Sequence, residues 1–138
     1  MKIIWVNDIR YFSPLVAEVR RIKEIAEWIV RKLGCKGELE LRFCDDREIA
    51  ALNKSFLGID SPTNVLSFPE DEEDSSLGSL CISLETISRE ALLYGVGEME
   101  HLCRMVVHGI LHLCGYDHGP EMYLKEEELF ETLREDLL

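Results

Sequence analysis

Three of the chain's four histidines, His108, His112 and His118, fall within eleven residues, in the run HGILHLCGYDH. His108 and His112 are four apart, so on a helix both imidazoles share one face with Cβ atoms about 5–6 Å apart. Metal–nitrogen bonds of about 2.0–2.1 Å let one ion bridge such a pair. The third ligand has to arrive from another direction, and a helix that ran straight on would carry residue 118 away from that face. Gly115 can take a left-handed conformation without a Cβ penalty and turn the chain back. Three protein ligands leave a fourth position open. Structural zinc sites are generally closed by four ligands, whereas open three-ligand sites do chemistry, because the ion lowers the pKa of water to about 7. The pattern therefore predicts a hydrolase with one zinc ion, although three imidazoles also accept nickel, cobalt or copper.

Two neighbours of this run have more than one reading. Asp117 can orient an imidazole as a supporting carboxylate, replace His118 as a ligand, or serve as a turn aspartate. His101 lies seven residues before His108, about 10.5 Å along a helix axis, which is too far to share the ion; it is expected as a pocket wall or a core histidine. The spacing resembles the HExxHxxGxxH signature of metzincin proteases, but Gly109 stands where that signature has its glutamate. A peptidase reading loses its general base there.

The elements that must position these residues follow from periodicity. Residues 2–7 read as a short buried strand. Ser13 and Pro14 begin a helix whose Leu15, Val19, Ile22, Ala26, Ile29 and Leu33 recur at helical spacing until Gly34. Residues 38–44 alternate as a half-buried strand, and Asp45 or Asp46 caps a short helix through about Phe56. Residues 64–69 and 79–83 are strands, separated by an exposed acidic connection at 70–74. Helices follow over 84–94, about 97–114, and from Pro120 onward. The second half of the 97–114 helix is apolar nearly all round and so is expected to be buried. The order predicts an α+β fold: one domain over residues 1–138, with a small mixed sheet of about four strands, about five helices, and the metal site at the end of a buried helix.

Composition narrows the function. The chain has 138 residues and a formal net charge of -12, which opposes loose attraction to nucleic acid. Residues 1–54 nevertheless carry +2 and residues 55–138 carry -14. Arg20, Arg21, Lys23, Arg31, Lys32 and Lys36 form either a solvated helix face with cations near its C-terminus or a phosphate-contacting patch. Cys35, Cys44, Cys81, Cys103 and Cys114 are odd in number and form no CxxC, so buried free thiols are expected rather than a disulfide framework. No apolar run reaches membrane-spanning length, and the N-terminus lacks a secretory pattern; a cytoplasmic location is expected.

HGILHLCGYDH over 108–118 resembles the signature of the YbeY family, bacterial endoribonucleases of rRNA maturation. SPTNVLSFP over 61–69 is similar to that family's PT(D/N)VLSFP segment, and Met122 with Glu126 resembles its C-terminal helix. The resemblance implies a small α+β domain, a zinc site made by His108, His112 and His118, single-stranded RNA as substrate, and a role in 16S rRNA maturation and ribosome quality control at the small subunit. Thr63, Asn64 and Ser67 are candidate polar contacts, with turn and strand-end hydrogen bonding as the alternative. Two departures stand out. Leu57 occupies the position before Gly58 where family members commonly carry arginine, which leaves Lys54 or Arg47 to supply a cation. Gly78-Ser79-Leu80 replaces a common Gly-Asp-Ile. Hydrolysis of a peptide or amide by the same metal, and ribosome assembly with a structural metal and no catalysis, are the alternatives.

Overall fold

The computed structural model describes residues 3–7, 19–70 and 76–136. The expected helix start at Ser13–Pro14 and most of the acidic 70–74 connection lie outside these residues. Four strands, β1 (Ile3–Asn7), β2 (Glu38–Cys44), β3 (Val65–Pro69) and β4 (Ser76–Ser83), form one sheet in the order β1-β2-β4-β3. The first three neighbours in that order are parallel, and β3 runs antiparallel along the edge of β4. Five helices accompany them: α1 (Val19–Leu33), α2 (Asp46–Leu57), α3 (Leu84–Tyr94), α4 (Glu98–Leu113) and α5 (Pro120–Asp136). This is the mixed-sheet α+β domain expected. Strand β4 begins three residues earlier than its apolar pattern shows, because it keeps pairing with β2 and β3 through the polar Ser76-Leu-Gly-Ser79 stretch.

Alternation sorts the two faces of the sheet. Leu39, Leu41 and Phe43 of β2 and Leu80 and Ile82 of β4 point to one side, all fully buried. There they meet Ile22, Ile25, Ala26 and Ile29 of α1 and the apolar surface of α4. Burial of each large aliphatic side chain contributes about 1.5–3 kcal/mol. Cys44, Leu66 and Cys81 point to the other side and pack with Ile49, Leu52 and Phe68 beneath α2. Helix α4 contacts β3, β4, α1, α3 and α5. That central position explains why Leu102, Cys103, Val106, Val107, Ile110 and Leu111 are buried around most of its circumference.

The N-termini of α2 and α3 are joined by a closed polar knot. Asp45 is the cap, its carboxylate accepting from the Glu48 backbone N–H at 2.8 Å. Asp46 accepts from Ser83 Oγ at 2.7 Å, from Thr86 Oγ1 at 2.6 Å and from Arg89 Nη1 at 2.5 Å. Its own backbone N–H donates to Glu85 Oε1 at 2.9 Å. Burial alone would raise the Asp46 carboxyl, but the hydrogen bonds from Arg89, Thr86 and Ser83 outweigh it and hold the group below its ordinary value.

The cysteines depart from expectation. Cys35, just past α1, and Cys114, at the end of α4, form a disulfide with a Cα–Cα distance of 6.3 Å across 79 residues of sequence. Sequence spacing could not show this pair, since only the packing of α1 on α4 brings their ends together. Cys44, Cys81 and Cys103 are free and buried as expected. Burial pushes Cys44 and Cys103 up to about 12 and Cys81 to about 11, so all three stay protonated and inert.

Candidate metal centre

Helix α4 carries His108 and His112 in its last two turns, with ring centroids 4.8 Å apart. The helix stops at Leu113, Cys114 caps it, and Gly115 adopts φ 95°. That left-handed turn sends the chain back along the helix end. It sets the His118 ring 4.4 Å from that of His112 and 5.3 Å from that of His108. One ring nitrogen from each of the three lies within 4.8 Å of the others. A tetrahedral ion with bonds of about 2.0–2.1 Å needs nitrogens about 3.3–3.4 Å apart, so small side-chain rotations bring the three into range. The donor set therefore fits a borderline transition metal. Among the described residues, no carboxylate or thiol joins the group.

A neighbouring carboxylate orients one of the imidazoles. Glu126 Oε1 of α5 lies 3.2 Å from His108 Nδ1, which leaves the Nε2 atom of that ring for the ion. Burial, then the neighbouring His108 and His118, hold His112 below the ordinary histidine value, with Tyr116 and Asp117 partly opposing them. The neutral imidazole so favoured is the form that ligates metal.

The three histidines form one wall of an open cleft of about 630 Å³. The facing wall is the chain leading into and along β3: Thr63, Asn64, Val65 and Ser67, with Leu57 at the end of α2. Ser67 Oγ donates to the Gly109 carbonyl at 3.3 Å, linking β3 to α4. Gly109 faces the sheet and not the cleft. A Cβ there would stand 2.7 Å from Leu80 Cδ2 and 3.3 Å from Val65 Cγ2. Close approach of helix and sheet therefore requires glycine at this position and leaves no space for a glutamate.

The remaining candidates are scattered. Asp117 is exposed, lines a neighbouring depression that shares His118 with the cleft, and does not join the histidine group. Arg47 is exposed at the start of α2, ten residues and so about 15 Å of helix from Leu57. Lys54 sits one turn before Leu57, is 67% exposed, and lies 3.9 Å from Asp60. His101 is a buried histidine outside the cleft. Leu57 is itself 62% exposed at the cleft wall, so the position where the resemblance leads one to expect arginine faces the ligand space. Glu126 was not singled out as an imidazole partner from sequence, yet it carried a signal. It lies four residues from both Met122 and Phe130, which are buried, so it is a carboxylate on the apolar face of an amphipathic helix.

Comparison with known proteins agrees with this geometry. Residues 13–138 match the family described as Endoribonuclease YbeY. The chain belongs to the endoribonuclease YbeY family. The Endoribonuclease YbeY of Acholeplasma laidlawii is 36% identical over 132 residues, covering 95% of this chain and 94% of that protein. The one from Oleidesulfovibrio alaskensis is 38% identical over 125 residues, covering 73% and 72%. The solution structure of TM1509 from Thermotoga maritima superimposes with a TM-score of 0.70 at 30% identity, covering 96% of this chain and 90% of that one. Membership in the YbeY family agrees with the resemblance of the run from 108 to 118, and Leu57 lies on the cleft wall. No described helix is long and apolar enough to cross a membrane.

Proposed function

We propose that this endoribonuclease holds a single zinc ion through His108, His112 and His118. We propose further that it cuts single-stranded RNA in the cytoplasm, in 16S rRNA maturation and ribosome quality control at the small subunit. The observation that carries the reading is the convergence of three imidazole nitrogens within 4.8 Å on the wall of an open cleft. Zinc with three nitrogen ligands supplies Lewis acidity, which stabilises charge on a phosphoryl oxygen and activates water near neutral pH.

The chain's own residues hold and orient the substrate. Asn64 and Ser67 face the histidines across the cleft and offer hydrogen-bonding groups to phosphate oxygens. Arg31, Lys32 and Lys36 are exposed at the C-terminal end of α1. The Cys35–Cys114 bond ties that end to the turn before His118, and we assign this cationic end to contact with the RNA backbone. Lys54 is the cation on α2 best suited to act for the arginine absent at Leu57. Glu126 would keep the His108 imidazole aimed at the ion, whereas Asp117, which is not one of the three clustered ligands, acts in the turn.

The peptidase alternative is disfavoured because Gly109 is packed against Leu80 with no room for a general base. An open cleft at the histidines also disfavours a purely structural metal, which is usually enclosed by four ligands. The test is elemental analysis of the purified protein paired with cleavage of a single-stranded RNA by the metal-free and zinc-reloaded forms. One zinc per chain and cleavage restored by zinc are expected. Cleavage that survives both chelation and His112→Ala would overturn the reading.

A further inference from the structure

His101 and Glu90 form a buried polar pair that the metal centre does not use. His101, in the first turn of α4, has a side chain only 7% exposed, and Glu90, in the last turn of α3, is 24% exposed. His101 Nε2 lies 2.9 Å from Glu90 Oε1, and Tyr94 packs its ring edge-on against the imidazole at 5.7 Å. A histidine and a carboxylate are expensive occupants of a core boundary that an aliphatic pair would fill without desolvation. Glu90 also sits close to a cleft whose proposed ligand is a polyanion, where a carboxylate is unfavourable unless it has a task.

That task is visible at Asn64. The same Glu90 Oε1 accepts from Asn64 Nδ2 at 3.0 Å. At its other end, Asn64 Oδ1 accepts from the Val65 backbone N–H at 2.7 Å. The Asn64 backbone carbonyl accepts from the Ser83 N–H at 3.0 Å. The amide is thus pinned in one orientation: turned over, its oxygen would face a carboxylate and its nitrogen an N–H. An amide nitrogen carries two hydrogens. One goes to Glu90, and the second remains on a residue that lines the cleft with His108, His112 and His118.

We propose that Glu90 and His101 are positioning residues that act through Asn64, together holding its amide so that one Nδ2 hydrogen is kept for a phosphate oxygen of the RNA. His101 fixes the carboxylate, the carboxylate fixes the amide, and the amide meets the substrate. The inference rests on the endoribonuclease reading for its ligand, but the clamp on Asn64 stands apart from catalysis and can be tested apart from it.

The experiment compares zinc-loaded wild type with Glu90→Leu, Glu90→Gln, His101→Leu, Asn64→Ala and the double variant Glu90→Leu/Asn64→Ala on a single-stranded RNA oligonucleotide. Zinc content and the NMR signal of the Asn64 side-chain amide are followed in parallel. Loss of one oriented hydrogen bond made equally to substrate and transition state raises KM by about tenfold and leaves kcat nearly unchanged. That result is expected for Glu90→Leu and for Asn64→Ala, with His101→Leu in the same direction and zinc content constant throughout. Glu90→Gln retains an acceptor oxygen and is expected to restore wild-type KM. The double variant is expected to be no worse than Asn64→Ala alone, since both changes remove the same contact. In the free wild-type protein the Asn64 amide proton given to Glu90 is expected to exchange slowly with solvent, and to lose that protection and change its chemical shift in Glu90→Leu. If Glu90→Leu does not fold, the KM of His101→Leu decides. Additive effects of Glu90→Leu and Asn64→Ala, an unchanged KM in both Glu90→Leu and His101→Leu, or an Asn64 amide signal indifferent to Glu90 would each overturn the proposal. A wild-type protein that holds zinc but leaves RNA intact would instead overturn the endoribonuclease reading, and the amide signal would still decide whether Glu90 holds Asn64.

Discussion

Two polar clusters flank the sheet, and they end differently. Around Asp46, at the junction of α2 and α3, the carboxylate oxygens accept from Ser83, Thr86 and Arg89, so the cluster closes on itself. Around His108, His112 and His118, one ring commits a nitrogen to Glu126, while one nitrogen from each ring lies within 4.8 Å of the others. Satisfied groups in the first cluster cement two helices. Donor atoms aimed at a common point in the second are tolerated because the cleft admits an ion and solvent. A cluster that closes its hydrogen bonds serves stability, and one that leaves convergent donors open serves binding.

Substitutions that trade one behaviour against the other test this contrast. The largest effect is expected at His112→Ala: zinc falls from one per chain to near none and RNA cleavage drops by at least about a thousandfold, while urea unfolding of the metal-free protein changes little. Elemental analysis, cleavage rates and urea titration check the three parts. Next comes Glu126→Gln, which weakens the orientation of His108 and lowers zinc affinity by about 10–100-fold, read by competition with a chelator. It should leave the fold intact, because the replacement conserves volume.

Gly109→Ala tests the close contact between α4 and the sheet next to His108. The added methyl meets Leu80 at 2.7 Å and is expected to cost about 1–3 kcal/mol in chemical denaturation. Zinc should still bind once the protein is folded. Asp46→Asn is expected to cost a similar or smaller amount, about 1–3 kcal/mol at neutral pH, with zinc content and RNA cleavage unchanged. Its pH dependence has a definite sign. The folded Asp46 carboxyl is held below its ordinary value of 3.8, so its contribution is complete above that value and disappears as pH falls through the lower folded value. Wild type and Asp46→Asn should therefore converge in stability in strong acid, as thermal melts across pH would show. A variant at Asp46 that lost zinc, or one at His112 that destabilised the metal-free fold, would erase the distinction between the clusters.

The three histidines that could hold a metal were legible as a group in the sequence because their geometry is local. His108 and His112 share a helix face by periodicity alone, and Gly115 permits the turn that returns His118. The alternation of residues 38–44 likewise showed which side of β2 is buried, and the resemblance over 61–69 brought Asn64 and Ser67 into consideration. Gly109 was legible only as a missing glutamate, and its reason, contact with Leu80, needed the packed sheet. Arg47, Lys54 and Asp117 were reasonable by type and neighbourhood, but nothing in a linear string shows that Arg47 sits at the far end of α2 or that Asp117 stays outside the group of converging donors.

By itself the sequence determined the elements with strong periodicity, the three imidazoles and the turn between them, since these depend on backbone dihedrals and spacings of a few residues. Only the tertiary structure decided the partners of those groups: Glu126 for His108, Glu90 and His101 for Asn64, and Cys35 for Cys114. Each partner comes from a separate element, and which elements meet is set by burial of apolar faces across the whole chain, a condition that no short stretch of residues contains.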